Sequence, residues 1–229
     1  MQLLFNINFT IPFGANSKVI VMHPPGNVYD MASNPMGKDD LNYLINNVNK
    51  GDVFFDVGAN CGHYTLALSD HLNFDIQIHC FEPEDEAYLR LIHNKLINNA
   101  DWNCAKVAVG AKFEWLKITS GLSGYNHITV GDEVGTPCPV ITLDNYIESN
   151  NIQEVHMVKM DIEGFEMDAL MGARKSFEKQ IIKQILLEND GHHKRYGYDF
   201  DDFQEFFKIY NYKKIKIPEV SNFEIWTIP

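Results

Sequence analysis

Short runs of consecutive apolar residues recur along the chain, separated by stretches in which apolar residues return every three or four positions. Residues 53–57, 76–81, 103–109, 154–160 and 181–188 are runs of the first kind and predict buried strands. Residues 62–72 and 84–98 are stretches of the second kind. The latter carries Leu89, Leu91, Ile92 and Leu96 behind Pro83, which suits a helix start packed on a sheet. A further helix is expected between the last two strands. Strands alternating with helices predict an α/β fold: a mostly parallel sheet with helices on both faces.

The flanks carry weaker patterns. Leu3 to Ile11 and Val19 to Met22 read as an N-terminal hairpin or lid, Pro24-Pro25-Gly26 as a break, and residues 38–47 as a helix leading into the first core strand. Residues 112–142 hold three short β-like runs, 113–118, 127–130 and 140–142. They predict a β-rich insertion over the edge of the sheet where a ligand would bind. Residues 201–210 read as a helix through Phe203, Phe206 and Phe207, and 213–217 with 223–228 as a closing antiparallel hairpin around Pro218. The whole, 1–229, reads as one domain: a leading hairpin and helix in 1–50, a core in 51–190, and a helix with a hairpin in 191–229.

Composition narrows the class. Hydrophobic residues at 45% and charged residues at 22% are ordinary for a globular protein. No apolar stretch approaches the roughly 20 residues of a membrane helix, and MQLLFNINFTIPF lacks a basic leader, so a cytoplasmic location is expected. Cys61, Cys80, Cys104 and Cys138 show no metal-binding spacing and read as free thiols. A net charge of −12 argues against a nucleic-acid partner. Between Asp132 and Leu170 nine acids stand against one base, Lys159, and two of them, Asp161 and Glu163, directly follow an apolar strand.

The candidate chemistry begins at VFFDVGANCGHYT, residues 53–65. A strand ends in Asp56 and opens into a turn holding Gly58, Asn60 and Gly62. The next strand ends in Glu82, about 20 residues beyond the glycines, where a nucleoside-binding α/β sheet places its ribose acid. A dinucleotide turn reads G-x-G-x-x-G and leaves room for a pyrophosphate. Here Asn60 stands where a second glycine would be, which suits S-adenosylmethionine, with Glu82 on the ribose hydroxyls and Asp56 with backbone groups on the amino-acid end. A glycine turn in a protein without a ligand would look the same.

With FFDVGANCGHYT, CFEPEDEAYLRLIHN, ITLDNYI, VKMDIEGFEMDALMGA and ILLEND in this order, the chain resembles the FkbM family of S-adenosylmethionine-dependent methyltransferases, from about residue 52 to 188. The resemblance implies a class I methyltransferase (Rossmann-like) fold and methyl transfer to oxygen, on a sugar, glycan or natural-product hydroxyl. The chain departs from the family pattern at His63 and at the adjacent His192 and His193.

Asp161 and Glu188 end core strands and His192 follows soon after, so these three are the candidates for aligning an acceptor hydroxyl or taking its proton. Bland roles stand beside them: a helix N-cap for Asp161, an ion pair with Lys159 or Lys194 for Glu188, a solvated loop for His192, and first-turn positions for Glu163 and Glu166. His127 is a rival base. Asp161, Glu188 and His192 are also the residue types that hold Mg²⁺, although no spacing demands a metal. Trp115, Tyr125 and Tyr196 suit stacking on an acceptor ring or core packing alike. Methyl transfer to a glycan or small hydroxylated acceptor leads. Metal-assisted transfer to vicinal diols or catechols, a silent cofactor-binding subunit and, more distantly, a nicotinamide oxidoreductase stand behind it.

Overall fold

A computed structural model describes residues 9–13, 17–21, 38–215 and 223–229. The Pro24-Pro25-Gly26 break, the Pro218 turn and part of the first predicted run lie outside them. Strands β1 (Phe9–Phe13) and β2 (Ser17–Val21) form the expected antiparallel hairpin, and helix α1 spans Lys38–Asn47. Then come β3 (Val53–Val57), α2 (His63–His71), β4 (Gln77–Phe81), α3 (Asp85–Ile97) and β5 (Asn103–Ala105). The insertion holds β6 (Ala108–Val109), β7 (Glu114–Ile118) and β8 (Thr136–Ile141). The core resumes with α4 (Leu143–Ser149), β9 (Val155–Met160), α5 (Glu166–Met171), α6 (Arg174–Glu178) and β10 (Ile182–Glu188). Helix α7 (Phe200–Ile209) and strands β11 (Lys213–Ile215) and β12 (Phe223–Thr227) complete the order.

Among the described residues seven strands form the central sheet, in the order β11-β12-β10-β9-β3-β4-β5. From β10 to β5 every pairing is parallel, while β12 runs antiparallel to both β10 and β11. Numbered from β3, the parallel part reads 3-2-1-4-5, the doubly wound order, with its switch point between β3 and β9. Ligands in such sheets bind beyond the carboxyl ends of the strands at that point.

Strand periodicity of two supplies two cores. Phe55, Val57, Val158, Met160, Ile185 and Leu187 face one side and bury α4 to α7. Phe54, Ile78, Cys80, Met157 and Leu186 face the other and bury α1 to α3. Phe207 stacks on Trp226 at a 4.4 Å centroid separation, tying α7 to the closing strand. Burying each such side chain contributes about 1.5–3 kcal/mol.

Three expectations change in detail. The run 103–109 is two strands in different sheets. β5 pairs with β4 at the edge of the central sheet, where the chain is free to leave, and β6 pairs with β8 in the three-stranded insertion sheet β6-β8-β7. Residues 127–130 form only an isolated bridge, Ile118 to Ile128. The helix between β9 and β10 is broken into α5 and α6 by the Gly172–Ala173 turn.

Candidate active site

A cavity of about 440 Å³ opens beyond the carboxyl ends of β3, β4, β9 and β10, at the switch point. Gly58, Asn60, Glu82, Asp161, Glu163 and Glu188 all line it. The insertion supplies its cover: residues 124–128 lie along the cavity, with Gly124 over Asn60.

The turn after β3 is built by backbone geometry. Gly58 has φ +80°, and a Cβ there would stand 1.8 Å from the carbonyl oxygen of Asp161, so the position admits glycine alone. The close approach is made by the β9 turn rather than by a ligand. Asn60 sits at φ 50°, a left-handed conformation that asparagine adopts more readily than most residues, which explains the missing second glycine. Gly62 caps α2 at φ 85° and packs against Leu91; it does not line the cavity.

Every amide of this turn is already taken. Gly58 and Ala59 donate to the Phe81 carbonyl, Asn60 to Glu82 Oε2 (2.8 Å), Cys61 to Asn60 Oδ1 (2.8 Å) and Gly62 to the Ala59 carbonyl. No row of free N–H groups is left to cradle a pyrophosphate, in agreement with the departure from G-x-G-x-x-G. The expectation that Asp56 would grip an amino-acid end is corrected, and of the turn's backbone groups the amides are engaged elsewhere. Asp56 is fully buried beneath the cavity, accepting from Thr65 Oγ1 (2.6 Å) and lying 3.4 Å from Lys159 Nζ.

Glu82 directly follows β4. It accepts from Asn60 N and, through Oε1, from Glu84 N (2.9 Å), and burial pushes its carboxyl up to about 7 against those two bonds. A carboxylate has about four acceptor positions. Two backbone bonds therefore leave capacity for the paired hydroxyls of a ribose, and the site fits a nucleoside.

Across the switch point the groups are acidic. Lys159, near the end of β9, is buried; its Nζ donates to the Gly58 carbonyl (2.8 Å) and lies 3.4 Å from both Asp56 and Asp161. Burial works against its charge, but the Asp161 and Asp56 carboxylates outweigh it and hold the ammonium above its ordinary range. The Tyr64 ring lies 5.2 Å from the same Nζ. Asp161 is half-buried and does not cap a helix: α5 begins five residues later, with Phe165 at its N-cap and no side-chain cap bond. Burial, then the neighbouring Asp161 charge, pushes Glu188 up to about 11, and its Oε2 is buried without a hydrogen-bond partner.

Glu166 is likewise not an exposed first-turn acid. It is buried and accepts from Ile162 N (2.9 Å) and Gly164 N (3.2 Å), which fixes the loop carrying Asp161 and Glu163. Glu163, at φ 58°, reaches the cavity, and burial followed by the Asp161 charge pushes it up to about 8.

His192 does not line the cavity. Its Nδ1 lies 2.9 Å from Glu163 and 2.7 Å from Asp190, so it touches the site through Glu163. Among the described residues two sets of side chains converge within 4.8 Å: Asp161 with Glu163 and Glu188, and Glu163 with Asp190 and His192. The set suggested by sequence for Mg²⁺, Asp161, Glu188 and His192, is divided between them. Sequence reasoning weighed Lys159 only as an ion-pair partner and passed over Tyr64. The signal was present in the lone base among nine acids.

The Methyltransferase FkbM domain matches residues 56–214. The hexuronic acid methyltransferase AglP of Haloferax volcanii is 24% identical over 154 residues, 66% of this chain; the match spans 61% of that relative's length. The precorrin-6y C5,15-methyltransferase of Geobacter metallireducens superposes at a TM-score of 0.49 with 11% identity, covering 82% of this chain and 84% of that one. TrmK of M. capricolum, in complex with S-adenosyl-homocysteine, does so at 0.47 with 10% identity, covering 82% and 65%. No helix among the described residues is long and apolar enough to cross a membrane. With its sheet a class I methyltransferase fold and its match running through both ends of the cavity, the chain belongs to the FkbM family of S-adenosylmethionine-dependent methyltransferases.

Proposed function

We propose that the protein transfers a methyl group from S-adenosylmethionine to a hydroxyl of a sugar or glycan. The observation that carries this reading is the pairing of a nucleoside-suited carboxyl, Glu82, with an acid cluster at the other end of one cavity. The relative named for hexuronic acid supports a sugar as the acceptor class.

The cofactor, when bound, supplies an electrophilic methyl on sulfur. Glu82 holds the ribose, and the turn of Gly58 and Asn60 shapes the wall beside it. Asp161 faces the acceptor: the Lys159 ammonium keeps its carboxylate oriented, so it accepts the hydroxyl's hydrogen bond and then its proton. Glu188, held neutral, carries one O–H donor and keeps acceptor capacity at neutral pH. His192 orients Glu163 and is a positioning residue. The loop 124–128 excludes water, which strengthens each of these interactions. Alignment of acceptor, methyl and leaving sulfur supplies much of the remaining rate.

Calorimetry with S-adenosylhomocysteine and NAD, joined to mass spectrometry of sugars incubated with S-adenosylmethionine, tests the reading. S-adenosylhomocysteine should bind, NAD should not, and a product heavier by one methyl should form. Asp161→Asn should keep cofactor affinity and lose about 10²- to 10⁴-fold in turnover, the range of acid–base assistance. Tight NAD binding without S-adenosylhomocysteine binding, or a fully active Asp161→Asn, would remove the proposal's basis.

A further inference from the structure

The two ends of the cavity hold different groups. Glu82 directly follows β4 and Glu188 ends β10, three strand spacings apart across the sheet, roughly 14 Å. A nucleoside held at Glu82 therefore leaves the β9–β10 end to the acceptor. That end gathers Asp161, Glu163 and Glu188, whose oxygens lie within 4.8 Å of one another. Asp56 lies beneath. Among the described residues the one ammonium lining the cavity is Lys159, already committed to Asp56, Asp161 and the Gly58 carbonyl. Arg195 lies at the margin, its guanidinium donating to the Glu163 carbonyl (3.0 Å). With Glu163 and Glu188 held toward their neutral forms, the standing carboxylate at this end is Asp161, and the Lys159 ammonium is shared between it and Asp56.

We infer that this end selects acceptors by charge: it takes neutral or ammonium-bearing sugars and turns away uronates. The inference rests on the sugar-methylation reading and narrows its substrate class. An incoming carboxylate needs a cation or free N–H donors. Lys159 has no partner to spare, and the amides of the Gly58–Gly62 turn are all engaged. A buried carboxylate without a cation is strongly disfavoured. The pocket's own acids obey the same rule, since Glu163 and Glu188 are pushed toward their neutral forms by burial and by Asp161. A hydroxyl or an ammonium instead supplies donors to oxygens that lack them, Glu188 Oε2 among them.

The test uses matched methyl glycosides in three forms: the neutral hexose, its 2-amino derivative and its uronate, each in gluco, galacto and manno series. The protein is incubated with S-adenosylmethionine at neutral pH, and methylated products are followed by mass spectrometry. Binding of each sugar to the protein saturated with S-adenosylhomocysteine is measured alongside. Neutral or amino sugars should exceed their uronates in kcat/KM by about tenfold or more, as expected for an unpaired charge brought within a few ångströms of another. A uronate used as well as its neutral counterpart overturns the inference and leaves the sugar reading standing. Failure of every sugar to bind or react overturns both. Glu163→Lys, checked for an unchanged melting temperature, should narrow the gap by raising uronate use. A folded variant with the gap intact shows that these carboxylates are not its source. The wild-type ranking decides the main point even if that variant fails to fold.

Discussion

Gly51 and Gly58 share nearly the same backbone angle, φ +81° and +80°, yet only the second has a neighbour within 4 Å of its absent Cβ. The pair separates conformational strain from close packing. Gly51→Ala should cost about 1 kcal/mol, the penalty of a left-handed alanine. Gly58→Ala carries that penalty and must also push back the Asp161 carbonyl, so it should cost at least about 2 kcal/mol more. Urea unfolding of the two variants measures the difference, and equal losses would show that the turn relaxes freely. At this scale, legibility followed sequence distance. Gly58, Asn60 and Glu82 announce themselves because the turn and the next strand end are local. Asp56 reads as a ligand contact from its place at a strand end, but the structure pairs it with Lys159, 103 positions away and across the strand register. His192 reads as a free base because nothing nearby in sequence reveals that Glu163, from the loop after β9, joins Asp190 at its ring.

Regular elements were legible wherever one period dominated. β3 and α1 lie where the hydrophobic pattern puts them, and α2, α3, β9 and β10 differ by a residue or so at their ends. The insertion was harder to read, because its strands bury one face against the cavity and α5 while Trp115 and Lys117 face outward, leaving no continuous apolar run. Its cover over the cavity is held from outside: the Tyr196 hydroxyl donates to the Ile128 carbonyl (2.6 Å), and its ring stands 5.1 Å from Phe165. Tyr196→Phe keeps the ring and deletes that bond, worth about 1 kcal/mol. Because the bond orders the cover rather than the core, we expect the acceptor KM to rise about fivefold with little change in melting temperature. An unchanged KM would mean that the cover holds its place without Tyr196.

The whole molecule buries acids that resist ionisation. Burial raises Glu82 and Glu166 to about 7 and Glu163 to about 8, above the ordinary 4.5 of each. Between about pH 5 and 8 the folded protein therefore holds protons that the unfolded chain has released, and its stability falls as pH rises through that window. The urea midpoint should decline from pH 5 to pH 8 and keep falling beyond it while Glu188 still holds its proton. Glu166→Gln keeps a side-chain oxygen for the Ile162 and Gly164 amides and cannot ionise, so its decline should be shallower. A wild-type midpoint that climbs over the same window would contradict the burial of these carboxyls. The central pairing of β3 with β9 joins segments about a hundred residues apart, among the longest chain closures in the fold. Gly58 meets Asp161, and Asp56 meets Lys159, only through that pairing. During synthesis the glycine turn thus emerges early, its own amide bonds reaching no further than Glu82, but the Lys159 and Asp161 side of the cavity joins it only after β9 has left the ribosome.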